Sequence, residues 1–216
     1  MERKKSLKIK VERVEIQRRY RDRRTVFLSD GRVFGIPGDV FLSDPVHAGD
    51  ELTAEQVESL LTRSDRQRLL DAALNLLSYR ARSRGELQQR LLEKGWLIEE
   101  VGGVLKRLEE QGYLNDEEFA RMFARDKINL KFLGPRALAS ELAQSRIDQK
   151  IIDEVLEEFY PPTACEAIIE KILIKKKIAS GRLLTAAERK RLIDLLGRKG
   201  FGWPEIESVF RKNQLI

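Results

Sequence analysis

Residues 7–14, LKIKVERV, alternate apolar Leu7, Ile9 and Val11 with polar Lys8, Lys10 and Glu12. A period of two predicts a strand with one face buried. Residues 25–36, TVFLSDGRVFGI, hold two β-rich runs separated by Ser29-Asp30-Gly31-Arg32. An Asp-Gly pair between such runs predicts a hairpin, because the glycine accepts positive φ. Pro37-Gly38 and Pro45 end these elements. The first ~50 residues are therefore expected to form a small antiparallel sheet of three strands. A sheet of that size is marginal alone and should dock on the next part of the chain or on a partner.

From Thr53 onward apolar residues recur at helical spacing, and the breaks carry capping chemistry. Thr53-Ala54-Glu55-Gln56, Ser83-Arg84-Gly85-Glu86, Asn115-Asp116-Glu117-Glu118, Thr163-Ala164-Cys165-Glu166 and Thr185-Ala186-Ala187-Glu188 all fit a capping box. In that pattern the first side chain accepts from the helix's free N–H groups and the fourth reaches back. The spacing predicts helices near 53–63, 65–81, 84–94, 98–111, 116–131, 135–145, 149–159, 162–179, 186–199 and 204–212.

These helices repeat. Leu87, Leu138 and Leu192 are separated by 51 and 54 residues. The same offsets align Leu91 with Leu142 and Leu196, and Trp96 with Ile147 and Phe201. They also align Val101 with Ile152 and Ile206, and Val104 with Val155 and Val209. Gly95 aligns with Arg146 and Gly200, so one glycine of the series is lost. Each unit reads as a long helix, a short one, a turn and a third helix, and periods near fifty residues mark stacked supersecondary units. The expected layout is a β-rich region at 1–52, a linker helix at 53–64 and three-helix repeats at 65–114, 115–161 and 162–216. The expected fold is mainly α: tandem repeats in a curved, elongated body with a small N-terminal antiparallel β-sheet.

Composition narrows the function. The 216 residues include one cysteine, Cys165, and one histidine, His47, too few for a disulfide within the chain or a standard zinc site. Cys165 follows PPTA at a predicted helix start, where a thiol's pKa falls if exposed. A small, half-buried residue is the plainer reading. No Walker loop, metal cluster or nucleophile–base pair is present, so an enzyme is not expected and no cofactor is implied. No run approaches the ~20 apolar residues of a membrane span. No apolar segment follows the charged start MERKKSLKIKVER as in a secretory signal.

Charge is segregated. Residues 1–25 hold 11 Lys/Arg against 4 Asp/Glu, residues 26–160 hold 18 against 25, and residues 161–216 hold 12 against 6. A charge run is ordinarily a solvated surface. Two basic segments flanking an acidic middle also suit a polyanion or a partner with an acidic surface.

The sequence resembles the RecX family of regulators of the RecA recombinase. The resemblance rests on Leu77-Ser78-Tyr79-Arg80-Ala81-Arg82-Ser83 with Glu86-Leu87 and Leu91. It continues in Gly112-Tyr113-Leu114-Asn115-Asp116 with Phe119-Ala120, and in Gly134-Pro135-Arg136 with Glu141-Leu142. It covers residues ~65–213 and is weakest in the third repeat. It implies a cytoplasmic, monomeric, non-enzymatic protein that binds the RecA filament on DNA. Such a protein lies in the filament groove and restrains ATP hydrolysis, filament growth and strand exchange in recombinational repair and the SOS response. The competing reading is a sequence-independent DNA binder with weak single- or double-strand contact through its basic surfaces.

Most singled-out residues have structural readings. Ser83 and Glu86 should cap a helix, and Tyr79, Trp96 and Phe201 should pack in cores. Gly112 and Gly134 should end helices, and Pro135 should begin one. The basic residues are the candidate partner or DNA contacts. Arg80, Arg82, Arg84 and Arg90 cluster at one helix junction, with Lys131 and Arg136 at the equivalent junction of the second repeat. Lys175, Lys176, Lys177, Arg189, Lys190 and Arg191 offer a second basic surface.

Overall fold

The structure, a computed structural model, describes residues 8–18 and 22–215. Leu7, the first position of the predicted strand, lies outside the described residues, as does Ile216. Two compact units divide the chain. One comprises the described residues as far as Tyr79 together with Leu91–Arg107; the other comprises Arg80–Arg90 and the residues from Leu108 on.

In the first unit, β1 (Lys8–Ile16), β2 (Arg24–Leu28), β3 (Val33–Ile36) and β4 (Glu51–Thr53) form one antiparallel sheet in the order β3-β2-β1-β4. The predicted hairpin turns at Gly31, whose φ is +85°. The short strand β4 makes the sheet four-stranded rather than three-stranded; three residues are too few to show a period in sequence. A short helix α1 (Gly38–Ser43) follows β3. Ile9, Val11, Val26, Leu28 and Ile36 of the sheet share a core with Val57 and Leu60 of helix α2 (Ala54–Tyr79). The sheet thus docks on the helix that succeeds it in the chain.

Helix α2 is continuous over 26 residues, where two helices, 53–63 and 65–81, were expected. Ser64 sits inside it, buried. Nothing near Ser64 stops a helix: neither proline nor glycine occurs in the run. Thr53 and Gln56 make the full box at its start, the Gln56 N–H donating to Thr53 Oγ1 (3.2 Å) and the Thr53 N–H to Gln56 Oε1 (2.8 Å).

The remaining helices match their predicted spans within a residue at each end, except α8, which was expected at 162–179 and is four residues shorter at its end: α3 (Arg84–Glu93), α4 (Ile98–Glu110), α5 (Asp116–Lys131), α6 (Pro135–Gln144), α7 (Gln149–Phe159), α8 (Ala164–Lys175), α9 (Ala186–Arg198) and α10 (Trp203–Lys212). Every apolar position aligned by the 51 and 54 offsets in the leucine, valine and isoleucine series is buried. Within the second unit, Phe119, Leu138, Leu142, Ile152 and Val155 form the core of α5–α7. Ile169, Ile172, Leu192, Leu196, Phe201, Ile206 and Phe210 form that of α8–α10.

Several expectations change. Tyr79 is the last residue of α2 and 80% exposed, because its side chain lies past the buried turns of that helix. Trp96 is half-buried, with the Arg68 guanidinium 5.8 Å from its ring centroid, whereas Phe201 is fully in the core. Gly134 does not end α5. Phe132 does, in the left-handed region at φ +54°, and Gly134 is the N-cap of α6. Thr163 makes no cap bond; Glu166 instead accepts from Ser208 Oγ at 2.6 Å.

Cys165 is buried in the α8–α10 core, and that burial pushes its thiol up to about 11. The thiol is therefore protonated and shielded. It is expected to resist a disulfide reagent near neutral pH in the folded chain and to react fully once denaturant is added. Fast labelling of the folded chain would contradict this placement.

Candidate partner and nucleic-acid interface

The start of a helix leaves N–H groups without intrahelical partners. At the short middle helix of two repeats, the turn of the next repeat supplies acceptors. Ser83, the residue before α3, accepts from the Glu86 N–H at 3.0 Å and donates its hydroxyl to the Ser145 carbonyl. Gly134, 51 residues on, donates its N–H to the Lys199 carbonyl at 2.6 Å, and the Arg136 N–H donates to the Gly200 carbonyl at 3.2 Å. Ser145 and Lys199 are equivalent under the 54-residue offset. The same joint is therefore made twice, first with a side chain and then with backbone.

Close approach explains the glycines. A Cβ on Gly134 would lie 2.8 Å from the Gly200 carbonyl carbon, and one on Gly200 would overlap the Ala137 backbone nitrogen. A Cβ on Gly85 would collide with the Arg146 side chain and lie 2.9 Å from its carbonyl oxygen. The three aligned turn residues, Gly95, Arg146 and Gly200, all have positive φ, at +89°, +59° and +93°. Losing the glycine at 146 therefore did not change the turn. The chain accepts an arginine in a left-handed conformation there.

The predicted basic residues fall into distinct settings. Arg80 and Arg82 both bind the Glu86 carboxylate. That carboxylate was expected to complete the capping box; it holds two guanidinium groups instead, and the Arg82 side chain is only 11% exposed. Arg84 binds Glu109 at 2.7 Å, and its N–H donates to Asp116 at 2.7 Å. Burial holds the Asp116 carboxyl above the usual range. Arg84 thus ties the start of α3 to Glu109 and Asp116, while Arg80 and Arg82 are held on Glu86 of α3 itself. Arg90 is exposed on α3. Arg136 lies beside Gly202 and near Glu205, at the second joint.

Lys131, Lys175 and Lys176 come together with two residues that sequence reasoning missed, Arg198 and Lys199. The five line a cleft of about 600 Å³ whose other walls are Leu130, Phe132, Leu133, Ile172 and Leu195. Lys131, Lys175 and Arg198 are the last residues of α5, α8 and α9, so three helix C-termini meet there. A second cleft of about 360 Å³ shares Lys176, Leu195 and Arg198 and adds Arg182 and Arg191. Lys177, Arg189 and Lys190 line neither cleft. Their positions in the same charge runs gave no sign of this division.

Two family models match the chain: the second three-helix domain of RecX at residues 115–156 and the first at 70–108. A regulatory protein RecX from Pelodictyon phaeoclathratiforme is 34% identical over 140 residues, spanning 64% of this chain and 84% of its own length. The chain belongs to the RecX family. A regulatory protein RecX from Halalkalibacterium halodurans is 30% identical over 207 residues, covering 93% of this chain and 76% of its own. A crystal structure of regulatory protein RecX superposes with a TM-score of 0.69 at 23% identity, covering 93% of this chain and 98% of that one. RecX from Lactobacillus salivarius superposes with a TM-score of 0.59 over 70% of this chain. The two matched RecX domains fall on the first two repeats; the second includes Leu130, Lys131, Phe132 and Leu133 on one wall of the larger cleft, and the other lining residues of both clefts lie beyond it. Among the described residues no helix is long and apolar enough to cross a membrane, and no cluster of His, Cys, Asp and Glu is arranged to hold a metal ion.

The joints make two predictions. Ser83→Ala should cost roughly 2–3 kcal/mol, because it removes a cap and strips the Ser145 carbonyl of a donor. Thr185→Ala, which removes a cap alone, should cost about 1 kcal/mol. Urea unfolding measures both, and equal losses would mean that the Ser83–Ser145 bond carries nothing. Gly95→Ala and Gly200→Ala both force a side chain into the left-handed region, at about 1–2 kcal/mol. Only Gly200→Ala adds an overlap, worth roughly 1–3 kcal/mol more. The same denaturation series should rank it the more destabilising.

Proposed function

We propose that this chain is a negative modulator of the RecA recombinase, acting on the RecA filament assembled on DNA in the cytoplasm. Its membership of a family of regulatory proteins carries the reading. The twice-used joint supports it physically. A filament repeats one subunit, and a chain of like repeats set at like joints offers like surfaces to successive subunits. Several weak contacts then add through high effective concentration. Contacts that bridge neighbouring subunits resist the motions tied to ATP turnover, and occupancy of the groove obstructs a second DNA. No reaction is assigned to the chain.

The test is RecA-catalysed, DNA-dependent ATP hydrolysis titrated with this protein, alongside binding to the same DNA without RecA at the same salt. Inhibition is expected at protein levels too low to cover the DNA. Inhibition seen only at DNA saturation, and abolished by added salt, would replace the filament with bare DNA as the target.

A further inference from the structure

We propose that the paired clefts on the third repeat form a phosphate-binding trough, which takes a run of closely spaced phosphates. The argument begins with an imbalance of charge. Lys131, Lys175, Lys176, Arg198 and Lys199 line the larger cleft and, among the described residues, no carboxylate does. Helix C-termini attract cations, and three end here. Each terminus carries only about half a negative charge. Three ends offset roughly one and a half of five positive charges, which leaves an excess of about three.

The side chains register that excess. The Lys199 ammonium donates to the Lys131 carbonyl at the end of α5. Even so, burial and the neighbouring charges of Lys175 and Lys176 hold it below the usual lysine range. A cation held down by burial and by neighbouring cations is stabilised by an anion entering beside it. The smaller cleft extends the line with Arg182 and Arg191. The carboxylate that lines it, Glu188, is already taken by Arg182 (2.6 Å) and by the Thr185 N–H (3.0 Å).

The ligand class follows from the number and spacing of the cations. Seven basic side chains along two clefts sharing a wall exceed what one carboxylate or one phosphate can satisfy. Phosphates in series match them, whether in a nucleic-acid strand or in a free polyphosphate. Leucine and isoleucine lie between the cations and give sugars or bases an apolar surface.

The full-length protein is titrated against fluorescein-labelled oligothymidylate at about 0.1 M salt, where each phosphate contact on a single strand contributes roughly fivefold in affinity. Two double variants remove the same charge: Lys175→Gln with Lys176→Gln inside the trough, and Lys177→Gln with Lys190→Gln outside it. The first pair should weaken binding by about tenfold or more and flatten the salt dependence, while the second stays within about twofold. Circular dichroism verifies that both fold. Tripolyphosphate should displace the oligonucleotide, and polyglutamate of matched charge should not. Tighter binding of the strand than of tripolyphosphate identifies nucleic acid as the source of the phosphates; the reverse identifies a free polyphosphate. Equal losses in the two double variants, displacement by polyglutamate as readily as by tripolyphosphate, or no binding to either phosphate ligand would overturn the proposal.

Discussion

The repeat joint is the contact on which the second unit depends. A ten-residue helix such as α3 or α6 is too short to be stable by propensity alone. Each begins where its backbone donors and caps must find acceptors. The turn between the second and third helices of the following repeat presents a carbonyl there, at Ser145 for α3 and at Lys199 for α6. That demand places glycine at 85, 134 and 200, since a side chain at any of them would enter the opposing backbone or side chain. The turns at 146 and 200 are left-handed, but so is the equivalent turn at Gly95, where nothing packs against the missing side chain, so that conformation belongs to the repeat and not to the joint.

The third repeat departs from this rule at α9, and the departure is measurable along the chain. Ser83, Gly134 and Thr185 precede α3, α6 and α9 at a constant spacing of 51 residues. The buried leucines inside those helices do not keep it: Leu192 falls three residues late. Helix α9 is accordingly 13 residues long, where α3 and α6 have 10. The added turn sits at its start, and there the chain closes the helix with its own box, Thr185 with Glu188. An end that caps itself needs no acceptor from another turn, so the surface around it is free for other chemistry. Arg182 and Glu188 beside that end line the smaller basic cleft.

Much of this was legible in sequence because it is periodic or local. Apolar spacing located the helices, and the leucine, valine and isoleucine positions aligned by the 51 and 54 offsets are all buried. What escaped was set by long-range partners. Glu86 has the position of a capping residue, yet two arginines claim its carboxylate. Gly134 looked like a helix terminator, but its lack of a side chain serves a contact with a turn 66 residues away, and Phe132 takes the left-handed position instead. Ser64 has the composition of a break between helices, but no steric signal accompanies it, and α2 runs through. Strand β4 is fixed by pairing with Lys8–Lys10 rather than by its own three residues.

The same distinction separates the two kinds of basic residue. A line of arginines at equivalent junctions suggested a continuous surface for a partner. Around the start of α3, Arg80, Arg82 and Arg84 pair with Glu86 and Glu109, so two carboxylates offset most of their charge. At the third repeat the sequence shows only two ordinary charge runs of three residues each, and one residue of the first and two of the second line neither cleft. Folding selects Lys175 and Lys176 from one run and Arg191 from the other, then adds Lys131, Arg198 and Lys199 from helix ends. Net charge in a sequence window therefore says little about where a polyanion is held. The deciding quantity is charge left uncompensated after helix termini and ion pairs are satisfied, and among the described residues five cations with no carboxylate beside them line the cleft where α5, α8 and α9 end.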